Sequence, residues 1–457
     1  MQDDNNIFGY EKISKILIKI APPVMLSQLI QALYNIVDSL FIGRYSETGL
    51  TALSIVYPLQ LLMIALAVGT GVGINTGVAY NLGLKRDKHA DKIAGTGTPL
   101  AFLLWILFAL VCYLIMPIYA KMSTTSQIVI EEVVTYGRIV CVFSLGLFAE
   151  SIWTKVLQAN GNMKIPMYAQ IIGAVVNIIL DPVLIFGKGE LVLGMSLPFG
   201  FNLGVKGAAI ATVIGQFVAA FIVLKKGYRK SPSIKEYPRI VCNIYKLGMP
   251  NILMQSAYTF YIFGLNLILS TFSDQAVTAL GLYYKWQTIF FIPLGALQTC
   301  IVPIISYNYA CRKIDRCKKT LSTSVIYGMI LMFIGTLCFE LVPSQMLGVF
   351  TRDQEVIAIG TNAFHFIGVA FIPMVTSLIF PVFFQAVGYA GKSSILTLVR
   401  TLVLFVPLGY IFSKIGGLHY FWMTFPTTEV ITTIVGVIFY RNFIKKEEKL
   451  DNNRIII

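Results

Sequence analysis

Two aspartates stand inside apolar runs of this chain: Asp38 in YNIVDSLFIGR (34–44) and Asp181 in NIILDP (177–182). A carboxylate placed in hydrocarbon costs about 2.5–3.5 kcal/mol on insertion scales, so such residues mark binding or transfer sites by default. Asn177 lies four positions before Asp181, which puts an amide and a carboxylate on one helix face. Pro182 donates no backbone hydrogen bond, leaving the carbonyl of Ile178 free to face a cavity or an ion. Thr212, closing GVKGAAIAT (204–212), adds a hydroxyl. Two carboxylates, an amide and a hydroxyl suit a hard cation with oxygen ligands, Na⁺ for example. They suit equally a proton shared between two acids. The alternative is that each acid only hydrogen-bonds a neighbouring helix.

The elements that must position these groups follow from composition. The chain has 457 residues, 56% hydrophobic and 13% charged, with a mean hydropathy of +0.74. A soluble domain carries about 25% charged residues. The apolar runs are about 20 residues long, which suits membrane-spanning helices and not barrel strands. An all-α polytopic membrane protein is expected. Twelve helices are predicted near 17–42, 51–81, 93–118, 131–158, 165–187, 204–224, 246–270, 278–309, 321–342, 356–386, 393–413 and 418–440. The stretch 1–16 is polar and no small-residue cleavage site follows the first apolar run, so the first helix is read as an uncleaved anchor.

The net charge of +14 is a matter of topology rather than of nucleic-acid binding. With both termini inside, 26 of the 36 Lys and Arg fall on the cytoplasmic side, in KRDKHADK (85–92), KKGYRK (225–230) and RKIDRCKK (312–319) among others. Six lie in outer loops and four within helices. That is the positive-inside distribution. Seven cysteines without a CxxC pair, and three scattered histidines, offer no disulfide framework and no metal-ligand spacing.

The chain also matches itself when shifted so that Pro23 meets Pro250, an offset of 227 in the numbering. APPVMLSQLIQALYN (21–35) lies over GMPNILMQSAYTFYI (248–262), TALSIVY (51–57) over TALGLYY (278–284), and LQANG (157–161) over FQAVG (384–388). From 20 to 92 no gap is needed and 15 of 73 positions are identical. Two six-helix bundles in the same orientation follow, related by an axis along the membrane normal, an arrangement typical of secondary transporters. The boundaries read 1–224 for the first lobe, 225–245 for a basic linker, 246–440 for the second lobe and 441–457 for a cytoplasmic tail. Asp38 matches Leu265 and Asp181 matches Leu408, so the shared fold does not require the acids.

Depth along the helices brings the candidates together. Counting outward from Lys19, Asp38 is roughly 28 Å along helix 1. Counting from Lys164, Asn177 and Asp181 are roughly 20 and 25 Å along helix 5. Thr212 is roughly 20 Å from the inner end of helix 6. Candidates for a substrate cavity are Gln31, Tyr34, Glu150, Tyr258, Tyr261, Lys285 and Trp286. Glu150 could attract a cationic substrate or pair with Lys155 or Arg138, and the aromatics could stack on a flat cation. Arg400 and Glu429 are also intramembrane and have no assigned role.

YNIVDSLFIGR, LQANGNMKIPM (157–167), NIILDP and GVKGAAIAT together resemble the multidrug and toxic compound extrusion (MATE) family, over almost the whole chain. The resemblance implies a V-shaped pair of six-helix bundles exporting cationic amphiphilic compounds in exchange for Na⁺ or H⁺. It implies a first-lobe cation site at Asp38, Asn177, Asp181 and Thr212. Helix 7 carries no acid, and helix 10 none after Glu355, which resembles the DinF-like and MepA-like branches rather than the NorM-like one. The expected partners are small organic cations and the lipid bilayer, with no nucleic acid and no cofactor beyond the coupling ion. A monomer in the plasma (inner) membrane is expected. The alternative within the same superfamily is a flippase for a lipid or a lipid-linked oligosaccharide. An enzyme is not expected, because no nucleophile–base pair or metal motif occurs.

Overall fold

A computed structural model describes residues 7–192, 195–196 and 198–455. In chain order the helices are α1 (Ile7–Tyr10), α2 (Ile13–Tyr45), α3 (Glu47–Gly83), α4 (Asp87–Ser123), α5 (Gln127–Val142), α6 (Leu145–Ala159), α7 (Lys164–Ile185), α8 (Val205–Gly227) and α9 (Tyr237–Leu269). Then come α10 (Asp274–Phe290), α11 (Ile292–Ala310), α12 (Ile314–Leu341), α13 (Pro343–Gly348), α14 (Gln354–Ala386), α15 (Ala390–Leu398), α16 (Val406–Phe421) and α17 (Thr424–Ile455). A π-helical segment, Val399–Phe405, joins α15 to α16. The β-structure among the described residues is a short antiparallel hairpin, Leu191–Val192 with Met195–Ser196, and an antiparallel bridge between Gly187 and Phe201. Among the described residues nine helices are long and apolar enough to cross a membrane, ten when the bent pair α10 and α11 counts as one span. The chain is a multi-pass membrane protein, and twelve spans are consistent with this fold.

Two predicted helices are broken. The span expected at 131–158 is α5 and α6, separated at Phe143 and Ser144. The break is stable because the freed carbonyls find donors. The Trp105 indole donates to Val142 O at 2.7 Å, and Ser144 Oγ donates to Cys141 O at 2.7 Å. The span expected at 278–309 bends by 50° at Phe291. Pro293, near the start of α11, lacks the N–H that a continuous helix would use. The stretch 441–455, expected as a tail, continues α17 as helix.

The repeat persists in backbone detail. Ser46 caps α3 by accepting from Gly49 N at 3.1 Å, and Ser273, its counterpart in the repeat, caps α10 by accepting from Ala276 N at 3.1 Å. Asn81 donates to Gly77 O, and Asn308 donates to Ile304 O, both at 2.8 Å. Lys85 and Arg312 share a positive φ, of 57° and 58°, and Gly161 and Gly388 share one of 79° and 82°.

The chain divides into two compact units, residues 22–248 and residues 7–21 with 249–455. The basic stretch after α8 thus clusters with the first unit. Arg229 pairs with Asp91 at 3.3 Å and Lys92 with Glu236 at 2.8 Å. A Cβ on Gly73 of α3 would stand 2.2 Å from Ile244 O, so α9 begins pressed against α3. The start of α2 belongs to the second unit, where α1 is held by α11 and α12. Both boundaries fall at one repeat position, at Ala21 and Gly248.

Candidate functional site

The first unit's polar site is built on a seam of small residues. Ala169, Gly173, Asn177 and Asp181 follow each other in steps of four along α7, all buried. Gly207, Ala211, Gly215 and Ala219 do the same on α8, also buried. Such stripes let helix backbones approach closely. A Cβ on Gly215 would lie 2.7 Å from Gly173 O and 3.2 Å from Asn177 Cβ, and one on Gly207 would lie 2.5 Å from Leu184 O. The small residues set the spacing, and Asn177 and Asp181 extend the same face of α7.

Beside this seam lies a cavity of about 290 Å³. Asp38, Gln31 and Tyr34 line it from α2, Tyr57 and Gln60 from α3, Tyr136 from α5, and Thr212 and Gln216 from α8. Asn177 and Asp181 of α7 are not among its lining residues. The Asp38 and Asp181 charges are near enough to act on one another. Asp38 is 7% exposed and Asp181 0%.

The hydrogen-bond inventory of this region is lopsided. Asn177 Nδ2 donates to Asp181 Oδ1 at 3.3 Å. Asp38 Oδ1, Asp181 Oδ2, Asn177 Oδ1 and Gln216 Oε1 are then buried oxygens with no donor among the described residues. Neither aspartate takes part in an ion pair among the described residues. Buried polar atoms are ordinarily satisfied. Four acceptors with no donor call for a cation or for protons.

Sequence reasoning did not single out Gln60, Tyr136 or Gln216 for this site. Gln216 follows Thr212 by four positions on α8, as Asp181 follows Asn177 on α7, and that spacing could have found it. Glu150 is outside the cavity lining. Its Oε1 accepts from Thr154 Oγ1 at 2.7 Å and from Gln170 Nε2 of α7 at 2.9 Å. Lys155 donates to Gln158, and Arg138 donates to Tyr113 O with its guanidinium 4.4 Å over the Tyr113 ring.

The remaining cavity candidates belong to the second unit. Tyr258 meets Tyr261 edge-on at 5.3 Å and donates to Gln287 Oε1 at 3.2 Å. Tyr261 stacks on Phe405 at 4.7 Å. Trp286 Nε1 donates to Met346 O at 3.1 Å, and Lys285 Nζ lies 4.9 Å over the Phe350 ring. Arg400 and Glu429 form a buried ion pair at 2.6 Å.

The MatE family profile matches residues 23–183 and 250–411, and the two stretches begin at the prolines that the internal repeat superimposes. The chain belongs to the MatE family. Membership makes it a transporter and not an enzyme. This MatE protein is 23% identical to the "Multidrug export protein MepA" of Staphylococcus aureus, over 91% of both chains. It is also 23% identical to the "FAD transporter" of Shewanella oneidensis, over 92% of this chain and 93% of that one. In fold it matches a MOP superfamily transporter from Pyrococcus furiosus with a TM-score of 0.88, covering 98% and 99% of the two chains at 20% identity.

Proposed function

We propose that this MatE protein is a secondary antiporter that exports small organic cations in exchange for Na⁺ or H⁺. In this reading Asp38, Asn177, Asp181 and Thr212 take the coupling ion. The observation that carries it is that Asp38, Asn177 and Asp181, with Gln216 one turn on from Thr212, hold four buried acceptor oxygens without donors at a cavity that Asp38, Thr212 and Gln216 line, with no basic side chain among the described residues paired to either aspartate. A monovalent cation or a proton supplies the missing positive charge. A cationic substrate in the same cavity meets the Asp38 carboxylate, whose charge and that of Asp181 act on one another, so ion and substrate disfavour each other. That negative coupling is reciprocal, and it is what exchange transport requires. The polar and aromatic lining, Gln31, Tyr34, Tyr57, Gln60 and Tyr136, suits a flat amphiphilic cation. The transporter is taken to act as a monomer in the plasma membrane with both termini on the inner side.

The test is efflux of ethidium from proteoliposomes under an imposed Na⁺ gradient and, separately, an imposed pH gradient, with Asp181→Asn beside the natural protein. Dye movement driven by one gradient and lost in Asp181→Asn supports the antiporter and names the ion. Folded protein that moves no dye under either gradient overturns it in favour of a lipid or lipid-linked substrate.

A further inference from the structure

The second unit also carries a buried carboxylate, and it is satisfied in the opposite way. Glu429 of α17 is 0% exposed. Both its oxygens accept from Arg400 Nε at 3.1 Å, and Oε1 accepts from Nη2 at 2.6 Å. The Ser377 hydroxyl of α14 also donates to it. Arg400 is 7% exposed, and its guanidinium sits 5.1 Å over the ring of Phe405, which in turn stacks on Tyr261. Arg400 lies in the π-helical segment 399–405, a distortion that is rare and frequent at functional sites.

The repeat aligns these facts with the first unit. Arg400 is the repeat counterpart of Gly173, the glycine that lets α7 close onto α8. The helix pair carrying Arg400 and Glu429 is thus the counterpart of α7 and α8, and it packs less closely, which leaves room for the arginine. In the first unit Asp181 has an amide partner and one oxygen with no donor. In the second, Glu429 has a tethered guanidinium.

We propose that Glu429 and Ser377 form a latent monovalent-cation site, kept permanently filled by the side chain of Arg400. The built-in cation makes the second unit insensitive to the ion gradient. Removing the guanidinium while keeping the carboxylate exposes the site to a cation from solution. This inference rests on the proposed first-unit site only for the comparison. Its test reads the difference between second-unit variants and the natural protein, in which the first-unit site is common to all, so its failure leaves that proposal standing.

The experiment is a thermal unfolding series on purified full-length protein with NaCl or methylguanidinium chloride against choline chloride at equal ionic strength. The shift of the natural protein, to which the proposed first-unit site contributes, is the baseline. Arg400→Ala should gain about 2–4 °C beyond that baseline at cation concentrations well above the dissociation constant of the opened site. Arg400→Ala/Glu429→Ala should lose that gain, because no carboxylate remains. Arg400→Ala that accumulates folded only with methylguanidinium is the same result in another form. Folded Arg400→Ala with no cation response beyond that of the natural protein, or an equal excess in the double variant, overturns the proposal. So does failure of Arg400→Ala even with methylguanidinium while the double variant folds. Arg400→Lys covers the case in which both alanine variants are unfolded. It retains the charge and should fold; if it fails as they do, the cationic charge is not what Glu429 needs and the proposal falls.

Discussion

Gly173 and Gly215 meet backbone to backbone: a Cβ on either would stand 2.8 or 2.7 Å from the other's carbonyl oxygen. This contact holds α7 against α8 one turn before Asn177, so the position of the carboxylate depends on the absence of a methyl group. Gly215→Ala should force the helices apart and cost about 1–3 kcal/mol, the usual penalty of overpacking. Because the displaced residue is Asn177, cation-driven transport should fall further than stability does. Gly281→Ala is the control, since nothing lies within 4 Å of its added Cβ. Thermal unfolding and dye efflux measured on the same preparations check both parts.

The two acids should pull stability and activity in opposite directions. Asp38 and Asp181 hold buried carboxylate oxygens with no donor and with each other's charge nearby. Replacing either by asparagine removes a buried charge while keeping the shape. Asp38→Asn and Asp181→Asn should each unfold at the same temperature as the natural protein or higher, and each should lose cation-driven efflux. A residue retained for function against its own stability behaves this way. A lower unfolding temperature in both variants would mean that the acids are structural.

Much of this was legible in the sequence. Helix length follows from apolar run length, and the duplication follows from Pro, Gln and Tyr-Asn held in one register, so twelve helices and a repeated fold could be read directly. Asp38 and Asp181 stood out because charge inside an apolar run has few inexpensive explanations. The breaks at Phe143 and Phe291 were not legible, because both sit in runs apolar enough to look continuous. The donors that stabilise the first break come from Trp105, on a different helix, and from Ser144 itself. Nor could the sequence place residues 7–21 in the second unit, since that assignment rests on contacts some 300 positions away. The partnership of Arg400 with Glu429 was invisible for the same reason: no helical spacing connects positions 29 apart.

The paired caps give a stability test of the repeat. Ser46 and Ser273 each accept from the amide three positions ahead, at the same distance and at equivalent places. Ser46 Oγ also lies 2.7 Å from Thr48 Oγ1. Removing an N-cap costs about 1 kcal/mol. Ser46→Ala and Ser273→Ala should therefore each lower stability by about that amount, and the double variant should show their sum, because the sites share no partner. Thermal unfolding of the three proteins decides it.

The N-terminal segment is fastened by three side chains of the second unit. Arg316 Nη2 donates to Phe8 O at 2.7 Å and to Glu11 O at 2.8 Å. Asn308 Nδ2 donates to Phe8 O at 2.8 Å, and Lys313 Nζ donates to Gly9 O at 3.0 Å. These bonds satisfy carbonyls that so short a helix cannot satisfy internally. Hydrogen bonds to charged groups contribute about 1.5–3 kcal/mol each, and Arg316 supplies two of them. Arg316→Ala should release residues 7–12 and raise the rate of tryptic cleavage at Lys12 and Lys15 by about tenfold or more, where cleavage follows the population of the opened segment. Lys319→Ala, altering a side chain on the same helix that makes none of these bonds, should leave that rate unchanged. Equal cleavage in both variants would mean that the apolar contacts of Phe8 and Ile16, and not the captured carbonyls, hold the segment in place.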